Sequence, residues 1–179
     1  MRKTLLAILL ALALVVIPAV GVLAAPSQDV TITATPATYV SISNNTPSWT
    51  VGTVDKNTDY WWKGSAPSWP LGDGGCTATI TNDGNVTENI AIKGANFTSG
   101  GVGWTLVTST PGQNEVRLTA WKSLDAEVDG INLTTTDQSF IASLAATGTK
   151  KWEMRMTTGT FTDNALKSGA VTLTASQTP

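Results

Sequence analysis

Trp49, Tyr60, Trp61, Trp62 and Trp69 crowd into the stretch 44–75, which is otherwise rich in polar and turn-forming residues. Exposed indoles at that density stack on sugar rings or anchor a protein partner through large rigid faces. Trp61, Trp62 and Trp69 are the candidates for such binding. The same rings would equally cap the open end of a small apolar core. In a strand, Trp61 and Trp62 point to opposite sides, so only one of them need face a ligand. Trp121 is out of phase with Val116, Leu118 and Ala120, which places a further aromatic on the other face of its strand.

A second pattern is acidic: Asp125, Glu127 and Asp129, followed by Gly130. Three carboxylates at alternate positions repel one another unless they are solvated or bridged, and a calcium ion would supply the missing charge. The twelfth position counted from Asp125 is Thr136 rather than the bidentate glutamate of an EF-hand loop. A solvated turn accounts for the same residues without an ion. Asp55, Asn57 and Asp59 repeat the spacing without the glycine.

Other chemistry is closed off by composition. The chain of 179 residues has no histidine, which removes Ser-His-Asp and Cys-His catalysis and the usual neutral-pH proton shuttle. Its one cysteine, Cys76, cannot form an internal disulfide or a thiolate metal cage. Alternation with Ala78 and Ile80 reads Cys76 as a buried free thiol. No pair among the 13 acidic residues is singled out for two-carboxylate hydrolysis, so the reading is non-enzymatic, with no required cofactor. Asn-X-Ser/Thr sequons begin at Asn44, Asn85, Asn96 and Asn132, a number not far above chance in so threonine-rich a chain.

The N-terminus sets the expected compartment. Arg2 and Lys3 precede an apolar run from Leu5 to Ile17, broken by Pro18 and Gly21 before Ala24 and Ala25. That order is a secretory signal peptide over 1–24, with the mature chain starting at Ala25; retention as a membrane anchor is the alternative. Without Arg2 and Lys3, 9 basic residues face 13 acidic ones. Nucleic acid is a poor partner for such a surface, which lacks a basic patch to displace counterions from phosphates.

The elements that must position these residues are strands. Apolar residues alternate with positions that are mostly Thr, Ser, Lys, Arg or Glu at Val30, Ile32 and Ala34, at Val40 and Ile42, and at Ile90 and Ile92. The pattern recurs at Val116, Leu118 and Ala120, at Trp152, Met154 and Met156, and at Val171, Leu173 and Ala175. Period two with one wet face predicts half-buried strands, and the 30 threonines suit that face. Turn-forming clusters between the runs predict a single all-β domain over 25–179. The expected architecture is an antiparallel immunoglobulin-like or jelly-roll-like β-sandwich of roughly eight to ten strands.

Three local expectations accompany that fold. A three-residue turn, Asn82 to Gly84 with left-handed Gly84, would pair Ile80 with Val86 in a hairpin. Cys76, Ala78, Ile80, Val86, Ile90 and Ile92 would then share one face, with Glu88 at a sheet margin. Phe140, Ile141, Leu144 and Ala145 share a helical face after Thr136 and Asp137, which predicts one short helix ending at Gly148. Val30-Thr-Ile-Thr-Ala-Thr35 and Val171-Thr-Leu-Thr-Ala-Ser176 nearly repeat each other, as terminal strands lying side by side or on corresponding sheet edges would.

Gly103-Trp104-Thr105-Leu106, and much later Lys151-Trp152-Glu153-Met154, bring in a resemblance. The first tripeptide resembles the motif of WxL-type modules of secreted bacterial cell-surface proteins, while Trp152 is followed by Glu153-Met154. A signal followed by one threonine-rich sandwich also resembles subunits of surface layers and extracellular filaments. The resemblance implies a secreted structural or adhesive protein whose partners are cell-surface components or further copies of itself. A carbohydrate-binding module that stacks a polysaccharide on Trp61, Trp62 and Trp69 is the alternative.

Overall fold

A computed structural model describes residues 37–98 and 101–178, and the domain runs from Ala37. The signal peptide expected over 1–24 and the strand expected at Val30 to Ala34 lie outside these residues. The described chain is all-β, with ten strands in two sheets and helical turns only at Asp73–Gly75 and Glu127–Asp129. The larger sheet has the order β1 (Ile42–Asn44), β3 (Ala78–Asn82), β9 (Thr149–Thr158), β6 (Glu115–Lys122), β5 (Thr105–Leu106). β9 spends one edge on β6 and divides the other between β3 and β2 (Asp59–Trp61). β6 likewise divides its far edge between β5 and β7 (Ile131–Asn132). The smaller sheet has the order β10 (Val171–Gln177), β4 (Glu88–Gly94), β8 (Gln138–Leu144), antiparallel throughout. In the larger sheet only the two-residue pairing of β5 with β6 is parallel.

The alternating residues meet between the sheets. Ala78 and Ile80 of β3, Val116, Leu118 and Ala120 of β6, and Trp152, Met154 and Met156 of β9 point inward from one layer. Ile90 and Ile92 of β4 and Phe140, Ile141 and Leu144 of β8 point inward from the other. This is the expected sandwich, its core made from the inner faces of both sheets.

Two local expectations fail, each for an identifiable reason. β3 and β4 are not a hairpin: β3 hydrogen-bonds to β1 and β9, whereas β4 bonds to β10 and β8. The 83–87 segment therefore carries the chain from one sheet to the other. Ile80 and Ile90 share a core by facing each other rather than by lying side by side. Gly84 is not left-handed; a Cβ there would lie 2.4 Å from both the Tyr39 carbonyl oxygen and Glu88 Oε1. Close approach, not a positive φ, is what demands glycine.

The expected helix is β8. Phe140 and Ile141 are both buried although adjacent, because the pairing with β4 shifts register on either side of Ile90. Such a bulge lets neighbouring side chains turn to one side, and that gives a strand the spacing of a helical face. Glu88 is also not marginal: it begins the central strand of the smaller sheet with no exposed surface, and its Oε1 accepts the Ser41 N–H at 2.8 Å. Cys76 precedes β3 and is half-buried, outside the core cluster.

Candidate functional site

The tryptophans of the 44–75 stretch divide between two sides of the larger sheet. β2 ends at Trp61 and Trp62 follows it, with its N–H still donating to the Met154 carbonyl of β9 at 2.9 Å, so the two successive rings turn to opposite faces. Trp62 turns inward, with its ring centre 5.0 Å from that of Trp152 and 6.3 Å from that of Trp49. Trp61 turns outward and lies 5.2 Å from Trp121 and 6.1 Å from Trp69. Trp69, preceding a cis Trp69–Pro70 bond, lies 5.3 Å from Trp121. None of the three candidates is exposed as a free platform; each is half-buried against other rings.

Arg155 completes the outer cluster. Its guanidinium carbon lies 5.2 Å from the ring centres of both Trp61 and Trp121, and Nη1 lies 3.6 Å from Asp59 Oδ2. A cation over two indole faces gains from their quadrupoles. Trp121, 1% exposed, also donates its Nε1–H to the Glu127 carbonyl at 2.9 Å. Together these contacts form a small second core on the outside of the sheet, with the buried Leu71 beside it tied by backbone bonds to the 124–125 segment.

The acidic loop serves that second core. Asp125 Oδ2 accepts the Lys122 N–H at 2.9 Å and pairs with the Lys122 ammonium at 3.3 Å. Asp129 Oδ2 accepts the Ala126 N–H at 2.9 Å, and Glu127 contributes its carbonyl to Trp121. Asp125 and Asp129 thus close the turn that seats Trp121. The structure does not bring the three carboxylates together: among the described residues no cluster of three or more His, Cys, Asp or Glu could hold a metal ion.

The remaining candidates are largely occupied by the fold. Asn44 donates to the Thr46 carbonyl and accepts from Trp152 Nε1. Asn85 pins Tyr39 and Ala37, and Asn132 joins Thr119 to the Thr108 carbonyl. Asn96 accepts the Leu106 N–H. Burial, followed by the nearby Glu153 and Asp73 carboxylates, pushes the Cys76 thiol up to about 11. A thiol held protonated at neutral pH is a poor nucleophile. Trp104, from the first WxL-like motif, is 6% exposed between Phe97 and Phe161, and Trp152, from the second, is 2% exposed.

One further surface lies along β10, the C-terminal member of the two matched segments. Among the described residues this strand pairs on one side only, with β4, through seven consecutive residues without a register shift. Val-Thr-Leu-Thr-Ala-Ser-Gln contains no charge, no proline and no glycine. Its inward residues Val171, Leu173 and Ala175 are only half-buried, unlike Ile90 and Ile92 on β4. Beside it a groove of about 920 Å³ opens between the sheets, lined by Trp49, Trp62, Trp152, Met154, Val171 and Leu173 among others. An edge without charge, proline or bulge offers its free N–H and C=O groups to another strand. The signal available in the sequence was the unbroken uncharged alternation of residues 171–177.

Comparison with models of known protein families, with characterised proteins and with solved structures gives no match to this chain.

Proposed function

We propose that this protein is a secreted, non-enzymatic structural or adhesive component of the cell surface that assembles with copies of itself through a sheet edge. The observation that carries this reading is β10: seven regular, uncharged residues that, among the described residues, pair on one edge only, beside an apolar groove. Backbone hydrogen bonds supply affinity in strand addition, and pockets for alternate side chains supply specificity. The other edges among the described residues suit that role less well. β1 and β5 have three and two residues, and β8 carries register shifts and ends near a positive φ at Ser143.

The sugar-binding alternative draws on Trp61, Trp62 and Trp69. Trp62 turns inward while Trp61 and Trp69 pack on Trp121, so the three rings do not form one stacking surface. Electron micrographs and sedimentation of the concentrated protein test the proposal. Assembly that grows with concentration supports it. A protein that stays monomeric at every concentration yet is retained on a polysaccharide column would replace it with the alternative.

A further inference from the structure

We infer that the groove beside β10 is a binding site for a neutral, largely apolar small molecule whose one hydrogen-bond acceptor takes the Nε1–H of Trp104. The inference goes beyond the assembly reading and does not rest on it.

Trp104 carries the argument. Three tryptophans are almost fully buried, and two of them spend their indole N–H inside the protein: Trp121 on the Glu127 carbonyl and Trp152 on Asn44 Oδ1. Trp104, 6% exposed, has no acceptor for its Nε1–H. A buried tryptophan N–H ordinarily finds a partner, because one left unpaired forfeits its hydration. The ring cannot turn to seek one. Phe97 and Phe161 stack on it with 6.3 and 5.5 Å between ring centres, and its backbone N–H and carbonyl both pair with Phe97. Trp104 lines the groove, so an acceptor supplied there would complete it.

The rest of the lining sets the chemistry of the ligand. A volume of about 920 Å³ lies within the size range of small-molecule pockets, roughly 300–1,000 Å³. Trp49, Trp62 and Trp152 wall the groove together with Met154 and Met156. Indole faces offer flat apolar contact, and thioethers adapt to irregular shapes. Among the described residues the charged members of the lining are Asp163 and Lys167. They pair with each other, and Asp163 also accepts the Val102 and Ala165 N–H groups. An ionic ligand would shed its water for a site whose charges already neutralise one another, which is unfavourable. A ketone, ester or ether oxygen meets the Trp104 N–H without that cost.

The test titrates N-phenyl-1-naphthylamine, a neutral fluorophore, into the full unassembled chain and displaces it with decan-2-one or with decanoate. Saturable binding of one probe per chain is expected, with decan-2-one displacing it at a concentration about tenfold or more below that of decanoate. Absence of saturable binding means that protein already fills the groove, and it overturns the inference. So does binding that vanishes as the chain assembles, which would give the groove to a neighbouring copy. Displacement by decanoate as readily as by decan-2-one overturns it as well. Trp104→Phe keeps a stacked ring and removes the N–H. It is expected to weaken decan-2-one by about fivefold, the worth of one hydrogen bond, while leaving the affinity of the fluorophore unchanged. Equal weakening of both compounds, or of neither, removes Trp104 from the site and overturns the inference. Leu173→Trp, checked for retained β structure by circular dichroism, fills the groove from β10 and is expected to abolish binding of the fluorophore. A folded Leu173→Trp chain that still binds it places the probe elsewhere and overturns the inference. Failure of the unsubstituted protein to assemble overturns the assembly reading alone, because these titrations do not depend on it.

Discussion

Gly130 lies directly against the indole of Trp121: a methyl group placed on its α-carbon would sit 2.4 Å from Trp121 Cε2 and 2.5 Å from Nε1. The glycine that ends the acidic loop is therefore a packing residue. Trp121 is pinned on its other sides by Trp61, Trp69 and Arg155 and by its bond to the Glu127 carbonyl, so it has little room to yield. Gly130→Ala is expected to lower stability by about 1–3 kcal/mol, the usual cost of overpacking a well-filled site. A chemical-denaturation midpoint measures it, and an unchanged midpoint would mean that the outer aromatic cluster is loosely packed.

The same loop makes a second prediction, because Asp125 and Asp129 accept backbone N–H groups of their own turn. Asp129→Ala removes the acceptor for the Ala126 N–H and is expected to cost about 1 kcal/mol. The loss should be equal in calcium and in chelator, since the carboxylates close a turn and do not converge on an ion. A melting temperature that rises with calcium, and stops rising in Asp129→Ala, would restore the metal reading.

The connection at Gly84 predicts strain of a different origin. The carbonyl oxygen of Tyr39 is backbone and Glu88 is fully buried, so neither yields easily to a Cβ at 2.4 Å. Gly84→Ala is expected to destabilise by about 1–3 kcal/mol, with Gly84→Val worse. An unchanged denaturation midpoint in Gly84→Ala would show that the connection has room for a Cβ.

These positions mark where the sequence was legible. Alternation at Val116, Leu118 and Ala120 or at Trp152, Met154 and Met156 reports which face of a strand is buried, and these runs with Ile90 and Ile92 supply the core, whereas Val40 is exposed and Val171, Leu173 and Ala175 are half-buried. Alternation does not report the partner. Ile80 and Ile90 would face one core from a hairpin or from two opposed sheets, and only the pairing of β3 with β9 decides between them. Phe140 and Ile141 misled because a bulge mimics helical spacing. The opposed directions of Trp61 and Trp62 and the outward face of Trp121 followed from strand geometry alone. That those rings would close over Arg155 depended on contacts remote in sequence. The β10 edge was half legible: its pattern was visible, whereas its pairing with β4 alone among the described residues is a property of the assembled sheet.

Cys76 yields a pH-dependent prediction. Burial holds its thiol up to about 11, against an ordinary value of 9.0, with Glu153 and Asp73 adding to the effect. The folded chain therefore keeps the proton over a range in which the unfolded chain loses it. Stability that depends on this proton is fully present below pH 9.0 and is lost as pH rises towards about 11. Cys76→Ser should remove that part of the alkaline decline while leaving stability at neutral pH close to that of the parent, since the side chain is half-buried and outside the core. The rate of alkylation by iodoacetamide in the folded protein should likewise climb only as pH approaches 11, because the thiolate is the reactive form. Rapid alkylation at pH 8 would show that the thiol is neither desolvated nor faced by the two carboxylates.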